Sequence, residues 1–324
     1  MLRHAVLIAA VVLVVSAMAC GGNSTRGVLL ITRSEGLVQR PFGETSERVI
    51  VPAPPGALLF DPSVSPDGKR IAFVRQAQPV PGSMSYDDGT DLWVAARDGS
   101  DQRLVLQHAT AGQSIREPLW QDDARVLVIV RETPGRGRIV YTLERVDLQT
   151  GLRDTVIEDV YSFGFAPDRT RLAYVKFTRP LDQSLHQVSV DGTGDEVLVP
   201  PGALASINAP RYSPDGSQIA FAAGQPPAAS ADIRLVTTML GITAAAPPPL
   251  VHSAPQDIWL VAAAGGPPQL IAPIQEDNPS VAWGPDGTLF EFGAAGLFRI
   301  DPASGAMTRI GDGSSHGQIT AAAP

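Results

Sequence analysis

From Gly27 onward the chain alternates short apolar runs with clusters of Gly, Pro, Asp and Ser. Apolar runs of about four to eight residues, bounded by turn residues, read as buried strands rather than helices. One stretch sets the grammar: "FDPSVSPDGKRIAFV" at 60–74. It returns as "YSFGFAPDRTRLAYV" at 161–175, "APRYSPDGSQIAF" at 209–221 and "SVAWGPDGTLFEF" at 280–292, with a degenerate copy, "LWQDDARVLVI", at 119–129. Each copy is a short strand ending near a bulky residue (Val64, Trp120, Phe165, Tyr212, Trp283), then a turn, then a strongly apolar strand. The turn chemistry is local. Pro presets the first central φ, Asp suits the next position, and Gly takes the left-handed one.

The turn aspartates Asp67, Asp123, Asp168, Asp215 and Asp286 recur about every 45 residues, with two longer intervals that hold insertions. Four short antiparallel strands per unit, repeated radially, predict an all-β propeller. The units fall at 60–107, 114–158, 160–200, 207–273 and 278–311. The piece 27–53 has the later strands of a unit but no first strand, and "GQITAAA" from Gly317 is a strand without a unit. Pairing the two gives six blades and a ring closed by N- and C-terminal strands. The alternative is a five-bladed ring with residues 27–53 outside it.

The first 19 residues read as an export signal. Arg3 and His4 precede an apolar run from Ala5 to Val15, followed by the small residues before Cys20. The run is shorter than the ~20 apolar residues a membrane span needs. "SAMAC" resembles the bacterial lipobox, with Ala17 where Leu is usual. That resemblance implies lipidation of Cys20, the sole cysteine, and it accounts for an unpaired thiol in an exported chain. The expected organisation is a lipoprotein signal peptide (1–19), a tether with the lipidated Cys (20–26) and a single propeller (27–324).

The motif "SPDG…IAF" followed by "DLW…DG" resembles the TolB-type propeller repeat of bacterial periplasmic proteins, over nearly the whole mature chain. The resemblance is specific for fold and weak for function, because the repeat also occurs in propellers of prolyl-oligopeptidase-type enzymes. TolB carries an additional N-terminal domain, for which the few residues between Cys20 and the first strand leave no room. Its role in the envelope complex is therefore not carried over.

A net charge of −8 gives no basic footprint, so nucleic acid is not an expected partner. "GSSHG" at 313–317 fits G-x-S-x-G in letters, but it lacks the strand–turn–helix that makes such a serine a nucleophile. No catalytic residue is assigned to it. The five histidines have no chelating spacing, and neither "YDDGTD" at 86–91 nor "DGTGD" at 191–195 has the ligand order of a calcium loop. No metal or cofactor is assigned. Glu117, Asp159, Asn208, Asp277 and Asn278 fall just before first strands, near the expected axis. They are the candidates for a channel-mouth site.

The function expected is an exported, lipid-anchored module that binds or scaffolds a protein at the cell envelope. It faces the periplasm or the exterior, with the lipid as its membrane contact. Two alternatives stand beside it: a lactonase-like hydrolase using a cation at the channel mouth, and a propeller for a small ligand or glycan. The Pro-Asp-Gly turns share one face and look structural. The insertions 76–90 and 224–256 should project from the other face, where a partner would dock.

Overall fold

A computed structural model describes residues 27–76, 89–110, 112–133, 139–179, 182–225, 255–314 and 317–323. Every regular element among them is a strand or a turn. Strands β1 (Val28–Arg33), β2 (Gly36–Pro41) and β3 (Arg48–Pro52) open the chain. Blade 1 follows as β4 (Leu59–Val64), β5 (Arg70–Gln76), β6 (Thr90–Ala96) and β7 (Arg103–Leu106). Blade 2 is β8 (Ser114–Trp120), β9 (Arg125–Glu132), β10 (Val140–Asp147) and β11 (Arg153–Glu158). Blade 3 is β12 (Val160–Phe165), β13 (Arg171–Arg179), β14 (Asp182–Ser189) and β15 (Glu196–Val199). Blade 4 is β16 (Ala205–Tyr212), β17 (Gln218–Gly224), β18 (Gln256–Ala262) and β19 (Gln269–Glu276). Blade 5 is β20 (Ser280–Trp283), β21 (Leu289–Phe292), β22 (Leu297–Ile300) and β23 (Met307–Gly311).

The last strand, β24 (Ile319–Ala322), completes blade 6 by pairing antiparallel with β1, Ile31 against Ile319 and Val28 against Ala322. The sheet order β24-β1-β2-β3 joins the two ends of the chain in one blade. The expected six-bladed ring is therefore the fold, and the five-bladed alternative is excluded. The chain has no single central core. An apolar cluster fills each of the six blade junctions instead; between blades 1 and 2, for example, Ala72, Val74 and Val94 pack on Ile115, Trp120 and Val128. Second strands such as "RIAFV" are apolar on both sides because each of their faces meets a neighbouring blade.

The turns behave as their chemistry requires. In blade 1, Ser65 Oγ donates to Asp67 Oδ1 at 2.6 Å, Lys69 N donates to the same oxygen at 3.0 Å, and Gly68 sits at φ 72°. Blade 4 repeats this with Ser213, Asp215 and Gly216 at φ 73°. The Ser213 hydroxyl, then the Ser217 N–H and hydroxyl, hold the Asp215 carboxyl down at about 2. Blades 2 and 3 depart from this, with Ala124 in the glycine place of blade 2. In blade 3 Arg169 occupies the glycine place at φ 60°, and its guanidinium lies over Phe165, 5.3 Å from the ring centroid, while donating to Trp120 O of blade 2.

Candidate functional site

The first strands surround the axis, and each reaches across to the next. Asp61 Oδ2 of blade 1 accepts the Glu117 N–H of blade 2 at 2.8 Å. Glu117 Oε2 accepts the Ser162 hydroxyl at 2.9 Å and the Phe163 N–H at 3.3 Å, both from blade 3. Ser162 Oγ accepts the Ala209 N–H of blade 4 at 3.1 Å. Asn208 Nδ2 then donates to Asn278 Oδ1 at the entry to blade 5. Ser280 Oγ accepts the Ile319 N–H of blade 6 at 3.2 Å, and Gln318 Oε1 accepts the Asp61 N–H, returning to blade 1. A hydrogen bond therefore crosses every junction of the ring.

The backbone is shaped to allow this. Asp61, Glu117, Ala209 and Asn278 each have φ between 48° and 55° and each precedes a proline. The left-handed residue opens a bulge in the first strand, between Phe60 and Ser63 in blade 1 and between Arg116 and Leu119 in blade 2. The bulge turns an N–H out of its own ladder and toward the preceding blade.

The belt residues line a cavity of about 50 Å³, among them Asp61, Glu117, Asn208, Asn278 and Gln318, together with Arg116. Three of the sequence candidates, Glu117, Asn208 and Asn278, meet here. Asp159 and Asp277 do not line it. Asp159 starts blade 3 at φ 58° with its carbonyl accepting the Phe177 N–H at 2.8 Å, and Asp277 is exposed between β19 and β20. Burial raises the Asp61 carboxyl above its ordinary value, opposed by Arg116, the Glu117 N–H and Arg211. Burial raises Glu117 too, opposed by Arg211 and reinforced by Asp61. Burial pulls the Arg116 guanidinium down, but Tyr161, Asp61 and Glu117 outweigh it and keep Arg116 firmly cationic.

The two carboxylates thus already have two guanidinium groups as counter-charges, and both accept hydrogen bonds from a neighbouring blade. This arrangement favours a structural belt over a cation-activating centre. Among the described residues, no three His, Cys, Asp or Glu side chains meet as a metal cage.

On the side of the Pro-Asp-Gly turns the channel widens into a cup of about 470 Å³. Val64, Leu119, Trp120, Phe165, Tyr212 and Trp283 supply its apolar wall. The polar ends of these aromatics are occupied inside the fold. Trp120 Nε1 donates to Ser63 O at 3.3 Å, Trp283 Nε1 to Arg211 O at 3.0 Å, and Tyr212 OH to Gln187 Oε1 at 2.6 Å. Phe165 and Trp283 are half-buried at this mouth, Trp120 and Tyr212 are buried in its wall, and Arg169 and Arg211 lie beside them. The repeated bulky residue of each unit therefore fills the wedge between blades and also builds the wider mouth. Sequence reasoning placed interest on the opposite face. Of the two insertions there, 77–88 and 226–254 lie outside the described residues.

Two other constellations escaped the sequence reading. Ser184 Oγ lies 2.8 Å from His186 Nε2, His186 Nδ1 lies 2.9 Å from Asp195 Oδ1, and Tyr174 OH donates to that same oxygen at 2.9 Å. The connectivity is that of a hydrolytic triad, but Ser184 and His186 are 4% and 5% exposed within β14, so no acyl carbon can approach the hydroxyl. The group is a strut inside blade 3. The second constellation is the carboxyl pair Glu276 and Glu291, between blades 4 and 5. In "GSSHG", Ser314 N donates to Gly293 O at 2.9 Å in a turn leading to β24, while Ser315 and His316 lie outside the described residues.

The fold and channel define a six-bladed β-propeller with an aromatic-walled axial mouth. A family profile described as "Lipoprotein LpqB beta-propeller domain" matches residues 35–210, more than half of the chain, and the protein belongs to that family. No curated protein sequence matches the chain. Among solved structures it is similar to TolB from Acinetobacter baumannii, with TM-score 0.63 and 12% identity over 91% of this chain and 66% of that one. It is similar also to a chain of a nidogen/laminin complex, with TM-score 0.65 and 11% identity over 91% and 98%. A TolB-type structure from Agrobacterium tumefaciens gives 0.55 and 14% over 92% and 98%. At these identities the likeness is one of fold.

Proposed function

We propose that this protein is an exported, lipid-anchored propeller that binds a protein partner at the cell envelope. The observation that carries the binding role is the axial cup. It is concave, its wall includes the half-buried Phe165 and Trp283, and it is edged by two guanidinium groups. Pockets of this kind take apolar side chains inserted from a partner, with the arginines aligning an acidic or carbonyl group. The export signal, the lipobox-like "SAMAC" and the family's description as a lipoprotein support anchoring through Cys20.

Anchoring is tested by comparing the full chain with Cys20→Ser in cells fed a labelled fatty acid. The wild type is expected in the membrane fraction with label incorporated, and Cys20→Ser without label and released. Equal fractionation of the two, with no label in either, would overturn the anchor.

A further inference from the structure

Glu291 is the least compensated charged group in the described structure. It sits in the middle of β21, 0% exposed, and neither carboxyl oxygen has a hydrogen-bond partner. Its strand neighbours alternate as expected. Phe290 and Phe292 pack toward blade 6, and Leu289 packs toward blade 4 with Ala220, Ile258 and Leu260. Glu291 shares the Leu289 face and therefore also looks toward blade 4.

A second carboxyl group meets it there. Glu276, at the end of β19, accepts the Ala294 N–H at 2.6 Å and the Ala295 N–H at 2.9 Å. A Cβ placed on Gly293 would lie 1.8 Å from Glu276 Oε2 and 2.9 Å from Glu291 Oε1, so both carboxyl groups crowd the same glycine. Gln256 is the cross-strand partner of Glu276. It is 2% exposed, its Nε2 donates to Ser206 O, and its Oε1 has no partner. Three unused acceptor oxygens thus belong to Glu291 and Gln256, each of which neighbours Glu276. The charge that reaches Glu291 is a second carboxylate, not a cation.

Burying an ionised carboxylate without compensation is prohibitively costly, and unsatisfied buried acceptors call for a proton or an ion. We propose that the junction between blades 4 and 5 holds one Ca²⁺ ion, ligated by the carboxylates of Glu291 and Glu276 with Gln256 Oε1. Two carboxylates balance a divalent charge, and the ligands are all oxygen, which selects a hard cation over zinc. Ca²⁺ tolerates irregular and bidentate carboxylate geometry, whereas Mg²⁺ demands a near-regular octahedron. The ion would pin the turn after β21 to blade 4. Gly293 O, in that same turn, accepts the Ser314 N–H of the segment leading to β24. Occupancy would therefore stiffen the approach to the closing strand.

The test is calorimetry and thermal unfolding of the chelator-treated protein with CaCl2, with MgCl2 and NaCl arms at matched ionic strength. One Ca²⁺ per chain is expected, with a rise in Tm of about 4 °C at saturation. Glu291→Gln should abolish the rise, Gln256→Leu should weaken Ca²⁺ roughly tenfold, and Glu117→Gln in the channel should leave binding intact. The Gln256 variant keeps the test decisive if Glu291→Gln does not fold. A Tm that responds to pH but to none of the three salts would overturn the proposal in favour of a bound proton. Loss of the response in Glu117→Gln with retention in Gln256→Leu would overturn it in favour of the channel.

Discussion

The Glu117 N–H donates to Asp61 Oδ2 at 2.8 Å, so a backbone group of blade 2 is satisfied by a side chain of blade 1. Asp61→Ala would leave that N–H, turned out of its own ladder by the bulge, without an acceptor. The expected loss is about 1–3 kcal/mol in chemical denaturation. Asp61→Asn keeps an acceptor at the same place and should lose clearly less. Equal losses from the two variants would mean that the charge facing Arg116, rather than the hydrogen bond, carries the contribution.

Ring closure rests on β24. Its pairing with β1 covers an edge that would otherwise be open, and Ile319 packs with Leu29, Ile31 and Phe292. Removing residues 317–324 should lower stability by several kcal/mol and make the N-terminal strands β1–β3 the first to exchange amide hydrogens. An unchanged Tm would contradict closure.

Glu291 sets a pH dependence of definite sign. Burial, and then the neighbouring Glu276, lift its carboxyl from the ordinary 4.5 to about 9. In cation-free buffer the folded state keeps a proton that the unfolded chain has released. Stability from this group is therefore fully present below 4.5 and is lost as pH rises toward 9. Wild-type Tm should fall across that window, Glu291→Gln should fall less, and CaCl2 should flatten the wild-type slope. Raised Asp61 and Glu117 act in the same direction, which is why the comparison with Glu291→Gln isolates the effect.

The segment 226–254 is expected to be dispensable for folding of the blade that carries it. Strands β17 and β18 pair in continuous register from Gln218 with Ala262 to Ala223 with Asp257, so the ladder that flanks the segment is unbroken. Replacing 226–254 by a short Gly-rich turn should leave the cooperative unfolding transition in place. A shift of Tm beyond a few degrees would show that the segment supports the fold.

The blade boundaries, the turn type and the closing strand were legible in the sequence because they depend on local chemistry repeated at one period. Gly68, Gly216 and Gly287 all take the left-handed turn position that their motif requires. The axial belt was not legible. Its members are Gln318, Asp61, Glu117, Ser162, Asn208, Asn278 and Ser280, different residue types whose partners lie a whole blade or the whole chain away. Position near the axis found Glu117, Asn208 and Asn278 but also Asp159 and Asp277, because sequence order cannot separate a residue inside the bulge from one just outside it. Glu291 did leave a signal. An acid between two phenylalanines in a strand buried on both faces breaks the pattern that "RIAFV" and "QIAFA" keep.

The most direct test of the binding role is site-specific photo-crosslinking in intact cells. A benzophenone side chain would replace Phe165 or Trp283 in the axial cup, and Leu152, 73% exposed on the outer rim, would serve as control. The expected result is one defined protein adduct from both cup positions, absent at position 152. Adducts from position 152 with none from the cup would contradict a partner seated at the channel mouth.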